Sequence, residues 1–428
     1  MKYGCIGKKL GHSFSREIHA ALGNPEYELC EIAPEKLDAF LEEKNFSAIN
    51  VTIPYKEAVI VRLSHTDEAA RRIGAVNTIV NRGGELFGYN TDFYGMCALF
   101  SHAGIDAAGK KVIVLGTGGT SKTACAVAES LGASTVLRVG RTGREGSLTY
   151  DELYAHHTDA EILINTTPVG MYPNLSQVPV DLLKFPHLSG VVDAVYNPLR
   201  TEFVLAAKKR GIPAEGGLFM LVAQGVRASE IFFDTHYPEG TTEAVFRKIR
   251  QQKENIVLIG MPSSGKTTVG RLLADALSRP FVDVDERIVL RAGDIGEIFK
   301  NEGETGFRAI ESAVIKDEIA PVCGSVIATG GGSVLSDENV KNLLQNGRLY
   351  FLNRPFGLLT PTGDRPLSSN KEALKKRYEE RLARYLEVAD VEVDATGTPE
   401  EVACTVREEF EHEDICFERT EPESARHS

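Results

Sequence analysis

Long apolar runs are missing from this chain: nothing in its 428 residues approaches the roughly 18 to 20 consecutive apolar residues that a helix needs to cross a bilayer. The opening stretch, MKYGCIGKKLGHSFS, also lacks the apolar centre of a secretory leader. Secretion and membrane insertion are therefore not expected. Positive charge is in short supply, with 48 Lys and Arg against 60 Asp and Glu and a net charge of -12. That balance disfavours a broad grip on nucleic acid and requires any anion to be held in a local pocket. Paired cysteine spacings are absent too. The seven Cys (Cys5, Cys30, Cys97, Cys125, Cys323, Cys404, Cys416) are scattered and never in a CxxC or Cys/His spacing that would hold zinc. A reduced, cytoplasmic chain is the expectation.

What is present is the mix of a globular protein, 25% charged and 42% hydrophobic, long enough for two or three domains. Short β-branched runs (KVIVLG, STVLRVG, EILINTT, GVVDAVY) alternate with helical patterns such as TEFVLAAKKRG. The alternation reads as α/β with parallel sheets. Residues 236–254 are polar, with a Pro/Gly turn and a short basic helix, and read as the end of one domain and a linker. A new strand signal begins at Asn255, and the second unit ends near residue 411. Residues 412–428 are charged, short of core residues, and expected to form a disordered tail.

Strand residues Asn255 to Ile259 run into Gly260-Met261-Pro262-Ser263-Ser264-Gly265-Lys266-Thr267-Thr268, a G-x-x-x-x-G-K-[ST] loop followed by an amphipathic helix. In such a loop, backbone N–H groups and the positive helix end surround phosphates. Lys266 would reach the β/γ oxygens and Thr267 would bind magnesium. The pattern predicts a nucleoside triphosphate site. Phe281-Val282-Asp283-Val284-Asp285 then reads as a strand end with both carboxylates on one face, since strand side chains alternate with period two. One could organise magnesium and the other take a proton from a hydroxyl.

Further motifs follow: Gly303-Glu304-Thr305-Gly306-Phe307-Arg308-Ala309-Ile310-Glu311, Thr329-Gly330-Gly331-Gly332, Arg365-Pro366-Leu367, and Arg381 to Asp390 (RLARYLEVAD). With these in order, residues 255 to 411 resemble shikimate kinase. The resemblance implies a P-loop kinase α/β domain with a parallel sheet, using ATP and Mg2+. It implies Asp285 as the substrate-binding base, Asp283 and Thr267 on the metal side, and Arg308 and Arg381 holding a substrate carboxylate through planar guanidinium forks. Glu311, three residues after Arg308, would orient it. Gly330, Gly331 and Gly332 resemble the turn that lets backbone approach the substrate ring, and Arg365 the lid arginine over the transferring phosphate. Two departures stand out: the lid segment from Leu352 to Leu367 is short, and Ser263 replaces a frequent glycine.

Upstream, Lys111 to Leu115 read as a strand entering Gly116-Thr117-Gly118-Gly119-Thr120-Ser121-Lys122 and a helix, a partial dinucleotide fingerprint with Ser121 in place of the third Gly or Ala. The next strand, Thr135 to Val139, ends in Gly140-Arg141-Thr142. A cation where an NAD enzyme presents a carboxylate favours the 2′-phosphate of NADP, and Arg144 offers a second charge. The motifs NVTxPxK (Asn50 to Lys56), GAVNT (Gly74 to Thr78), GxNTD (Gly88 to Asp92), NTTPxGM (Asn165 to Met171) and MLVAQ (Met220 to Gln224) complete an ordered set. Residues 1 to 250 thereby resemble shikimate dehydrogenase. The resemblance implies Lys56 and Asp92 as the proton-handling pair for ketone reduction. It implies Ser13 and Ser15 as the carboxylate grip, Thr52, Asn77 and Gln224 as ring-hydroxyl contacts, Tyr196 lining the pocket, and Gly217 beside the cofactor. Lys8, Arg16 and Ala20 depart from the family's usual Pro, Pro and Asn.

The expected architecture is thus an N-terminal α/β substrate domain with a Rossmann-type NADP domain in residues 1–250, followed by the kinase domain in 251–411. The substrate part covers about 1–100 and 225–250, and the NADP part about 101–224. The expected function is NADPH-dependent reduction of 3-dehydroshikimate followed by ATP-dependent phosphorylation of shikimate, both small-molecule substrates, in aromatic amino acid biosynthesis. A quinate side activity, an NAD preference, one half retained as a binding module, and co-expression or channelling as the reason for fusion stay open at this point, as does oligomeric state.

Overall fold

A computed structural model describes residues 1–11, 13–144, 146–360 and 371–412. The chain divides into two compact units, Met1–Gln252 and a second beginning at Lys253. Arg365 and residues 413–428 of the expected tail lie outside the described residues. Among the described residues no helix is long and apolar enough to cross a membrane.

The first unit holds two sheets. One has six strands, β1 (Tyr3–Gly7), β2 (Glu28–Glu31), β3 (Ala48–Val51), β4 (His65–Thr66), β5 (Thr78–Arg82) and β6 (Glu85–Tyr89), in the order β2-β1-β3-β5-β6-β4. This sheet is mixed where the other two are parallel, because β3–β5 and β5–β6 pair antiparallel. The cause is local: only Gly83 and Gly84 separate β5 from β6, and both take positive φ (61° and 92°), the conformation that two-residue hairpins need. The hairpin pairs Thr78 with Tyr89. It thereby brings Asn77, just before β5, beside Thr91, just after β6.

The other sheet is wholly parallel: β7 (Lys111–Leu115), β8 (Thr135–Val139), β9 (Ile162–Asn165), β10 (Gly190–Asp193) and β11 (Ala214–Glu215), in the order β11-β10-β9-β7-β8. Its central strands are near-continuous apolar runs because both faces are covered. Val112, Val114, Ile162 and Ile164 enter one core and Ile113, Leu115 and Leu163 the opposite one. Helices α1 (Ser15–Ala21), α2 (Thr91–His102), α3 (Gly119–Ser130) and α4 (Leu218–Phe233) surround the first of these cores. Helix α4 runs through the 224/225 division expected above. Helices α2 and α4 meet closely at Gly95, where an added Cβ would lie 2.6 Å from the Met220 carbonyl oxygen. This approach sets the start of α2 against α4, where Thr91 Oγ1 donates to Gln224 Oε1 at 3.3 Å.

The second unit has one parallel sheet, β12 (Asn255–Ile259), β13 (Phe281–Asp283), β14 (Val326–Ala328), β15 (Gly347–Asn353) and β16 (Val391–Asp394), ordered β13-β14-β12-β15-β16. Alternate residues of β12 divide between two cores, Val257 and Ile259 on one face and Ile256 and Leu258 on the other. Helices α5 (Lys266–Leu277), α6 (Val284–Ala292), α7 (Ile295–Val314) and α8 (Lys371–Val388) carry its polar site.

Candidate active sites

In the first unit, Asp92 lies in the opening turn of α2, behind the N-cap Asn90, whose side chain accepts from the Phe93 N–H at 3.0 Å. Its Oδ2 accepts from Lys56 Nζ at 2.6 Å, and the two side chains are 8% and 14% exposed. Its Oδ1 accepts from Asn77 Nδ2 at 3.0 Å. Asn77 also donates to Thr91 Oγ1 (2.9 Å) and Gln224 Oε1 (3.3 Å), and its own Oδ1 accepts from the Thr91 N–H at 2.7 Å. Four expected residues, Lys56, Asn77, Asp92 and Gln224, therefore form one hydrogen-bonded cluster. Thr52 follows β3 closely, its N–H donating to the Ile6 carbonyl at 2.9 Å.

Beneath the cluster sit residues to which the sequence reading gave no role. Tyr27 Oη donates to Asn50 Oδ1 at 2.6 Å, and Asn50 Nδ2 donates to the Asn77 carbonyl (3.3 Å) and Thr78 Oγ1 (3.1 Å). Asn50 opens the NVTIPYK motif, and its place on buried β3 was the available signal. The Cys5 thiol nearby is pushed up to about 12 by burial, so it stands neutral beside Lys56 and Asp92.

Ser13 and Ser15 come together, Ser13 Oγ donating to Ser15 Oγ at 3.1 Å. Tyr196 lies near Ser13, and its hydroxyl is pushed up to about 12, chiefly by burial. Its ring meets Phe14 edge-on at 5.3 Å.

The glycine loop lies against the lysine. A Cβ at Gly119 would meet Lys56 Cβ at 3.6 Å and Lys56 Cδ at 3.8 Å. Lys122 of α3 pairs with Glu57 at 2.7 Å. Gly118 is the N-cap of α3, and Gly116 turns out of β7 with φ 123°. Ser121, the departure from the fingerprint, is buried and donates to the Gly118 carbonyl at 2.7 Å. Arg141 and Thr142 are exposed just past β8. Gly217 packs against the carbonyl of Ala194, in the segment that bears Tyr196.

In the second unit, Gly260, Ser263 and Gly265 take positive φ (146°, 66° and 96°) and wrap the loop between β12 and α5. Lys266 Nζ donates to the carbonyls of Gly260 (2.8 Å) and Met261 (2.9 Å), which hold the ammonium over the loop. Ser263 Oγ donates to the Thr360 carbonyl at 2.7 Å. Among the described residues Ser264 Oγ is buried with no partner, a polar atom suited to an incoming phosphate oxygen. Thr268 is exposed in the first turn of α5.

Thr267 Oγ1 donates to Asp283 Oδ2 at 2.8 Å. The other oxygen of Asp283 accepts from the N–H groups of Asp285 (2.9 Å) and Glu286 (3.4 Å). That cap ends β13 at Asp283 and starts α6 at Val284. The expectation of two carboxylates on one strand face is therefore corrected: Asp285 belongs to the first turn of a helix, because the Asp283 side chain satisfies the backbone donors that a strand would have paired.

Asp285 nonetheless reaches the expected glycine turn. A Cβ at Gly330 would lie 3.0 Å from Asp285 Oδ1 and 2.6 Å from Glu311 Oε1. Glu311 is fully buried, accepting from Arg308 Nη1 at 2.6 Å and Ser333 Oγ at 2.7 Å. Glu304 adds a second contact to Arg308 at 3.2 Å. Burial works against the Arg308 charge, but Glu311 and Glu304 outweigh it and hold its pKa above the ordinary value. A Cβ at Gly332 would overlap Arg308 Nη2, so a side chain there would displace the guanidinium. Arg381, 6% exposed, donates to the Gly331 carbonyl at 2.9 Å, which also accepts from Tyr385.

A lysine–carboxylate pair against a dinucleotide-type turn defines a nicotinamide-dependent oxidoreductase in the first unit. A phosphate loop with a Thr–Asp pair, a buried arginine and a half-buried one defines a small-molecule phosphotransferase in the second.

Comparison with known proteins narrows both. The family model "Shikimate dehydrogenase substrate binding domain" matches residues 5–79, and the model "Shikimate kinase" matches residues 262–411. The shikimate dehydrogenase (NADP(+)) of Clostridium perfringens strain SM101 is 36% identical over 266 residues, covering 58% of this chain and 98% of the relative. Among solved structures, shikimate dehydrogenase 1 of Peptoclostridium difficile is 34% identical with a TM-score of 0.54, covering 58% of this chain and 98% of its own. The shikimate 5-dehydrogenase of Thermus thermophilus, solved with NADP(H) and shikimate, is 30% identical with a TM-score of 0.51, covering 58% of this chain and 99% of its own. The chain belongs to the shikimate dehydrogenase family and carries a shikimate kinase domain behind it.

Proposed function

We propose that this chain reduces 3-dehydroshikimate with NADPH in its first unit and phosphorylates the resulting shikimate with ATP in its second. The observation that carries the reading is the Lys56–Asp92 contact at 2.6 Å, lying against the turn at Gly119. NADPH, when bound, supplies the hydride. Lys56 delivers the proton that the nascent alkoxide needs, and Asp92 aims the ammonium while Asn77 holds Asp92. Ser13 and Ser15 offer hydroxyl donors to the substrate carboxylate, with Tyr196 closing that side. Thr52, Asn77 and Gln224 address ring hydroxyls. Arg141, at the end of β8, addresses the 2′-phosphate of NADP.

In the second unit ATP supplies the phosphoryl group. Lys266 and the loop N–H groups hold its phosphates. Thr267 and Asp283 supply hard oxygens 2.8 Å apart that fit magnesium, which neutralises phosphate charge when bound. Asp285 accepts the proton of the 3-hydroxyl, while Arg308 and Arg381 fix the carboxylate. Arg365 is assigned the lid role on its motif alone. The free thiols of Cys5, Cys30, Cys97, Cys125, Cys323 and Cys404 support a reducing, cytoplasmic location.

A coupled assay tests the whole reading. The full chain, given 3-dehydroshikimate, NADPH and Mg·ATP, should oxidise NADPH and accumulate shikimate 3-phosphate. NADPH oxidation without the phosphate ester would reject the kinase assignment, and an ester formed from added shikimate but not from 3-dehydroshikimate with NADPH would reject the dehydrogenase assignment.

A further inference from the structure

Helix α8 presents an inward stripe at helical spacing: Leu374, Arg381 and Tyr385 are all buried. Arg377 lies on that stripe, three residues after Leu374 and one turn before Arg381, and it is half-buried where its neighbours Lys376 and Glu379 are exposed. The charges around it are lopsided. Arg308 is matched by Glu304 at 3.2 Å and Glu311 at 2.6 Å. Among the described residues, Arg381 bonds the Gly331 carbonyl but pairs with no carboxylate, and Arg377 forms no ion pair or hydrogen bond. Burial, followed by the charge of Arg381, lowers the pKa of Arg377; Glu304 and Glu380 oppose that shift without reversing it, and Arg308 adds to it. Three guanidinium groups gathered partly out of water, with carboxylates in contact at Arg308 alone among the described residues, are better stabilised when an anion joins them.

We propose that Arg377 is a third cation of the acceptor pocket, adding to Arg308 and Arg381 in selecting a phosphoryl acceptor that carries a carboxylate. The proposal rests on the kinase reading above and extends it to a residue outside the motifs. Nothing in α8 itself requires an arginine at this position, since an uncharged helix former would fill the half-buried site without placing a like charge one turn from Arg381. Electrostatic selection at this position acts on binding of the acid rather than on the phosphate transfer at its far end.

The test compares shikimate with its uncharged methyl ester as acceptors for the full chain. Arg377→Gln should raise KM for shikimate about tenfold, the worth of one charge-assisted contact, with KM for ATP and kcat unchanged. KM for the ester should not move, so the acid-over-ester preference falls about tenfold. Arg377→Lys, which keeps the charge, should recover most of that preference. Because the preference is a ratio, loss of some folded protein does not alter it. A preference unchanged within twofold in Arg377→Gln, or an equal rise in KM for the ester, overturns the proposal. If the unsubstituted chain fails to phosphorylate shikimate at all, the kinase reading falls instead.

Discussion

Replacing Asp92 with Asn gives the sharpest test of the proton-handling pair. The amide is isosteric, and its carbonyl oxygen can keep the 3.0 Å bond from Asn77. Its NH2 then faces the Lys56 ammonium across the 2.6 Å now spanned by Oδ2, so two donors confront each other. The lysine must withdraw. With the side chains only 14% and 8% exposed, water cannot fully replace the lost partner. The charge-assisted bond contributes about 1.5–3 kcal/mol, so the folded unit is expected to lose about that much while remaining folded. Catalysis should suffer more, because general acid chemistry contributes about 10²- to 10⁴-fold. Stopped-flow or steady-state NADPH oxidation should show kcat falling in that range with KM for 3-dehydroshikimate changed less than about threefold. A cycle with Lys56→Met sharpens the result: the double variant should be no slower than the slower single variant, since the two side chains act as a unit. Retention of more than about a tenth of kcat by Asp92→Asn, or multiplicative losses in the double variant, would refute the assignment.

Lys266→Ala should abolish phosphorylation and leave NADPH oxidation near its original rate; joint collapse in a folded chain would contradict two independently working units. Arg141→Ala should raise KM for NADP about tenfold with little effect on NAD, and an unsubstituted chain that prefers NAD throughout sinks the cofactor assignment. Complete burial pushes the Asp193 carboxyl up to about 7, despite hydrogen bonds from Thr201, the Val195 N–H and Asn165. Between roughly pH 4 and 7 the folded chain thus holds a proton that the unfolded chain has released. Its stability should fall as pH rises through that window. Urea midpoints for Asp193→Asn should lack this contribution, and a difference from the original chain that does not vary with pH would rule the account out.

The phosphate loop was legible because its chemistry is contiguous: the strand, the turn glycines, Lys266 and Thr267 occupy one short segment. The first unit's cluster was not, since Asn77 and Gln224 meet across 147 positions and Lys56 meets Asp92 across 36. Spacing cannot report such contacts, and only the ordered motifs of a family pointed to them. Period-two reasoning failed at Asp285 because one capping side chain overrode strand alternation. The antiparallel pairing of β5 escaped the α/β alternation although the Gly83-Gly84 turn was open to view. Arg377 went unnoticed because it belongs to no motif, yet counting back one helical turn from Arg381 finds it.

Asp283 divides its labour between its two oxygens, one fastening the start of α6 and the other meeting Thr267. The position is consequently intolerant in a particular way. Asn keeps an acceptor for one task but offers a donor to the other, and Glu sets both acceptors one methylene further out. Each substitution would either loosen the turn that carries Asp285 or spoil the oxygen offered to a cation. Directed evolution aimed at either property alone will therefore meet the other as a constraint, and changes in metal preference are better sought at Thr267.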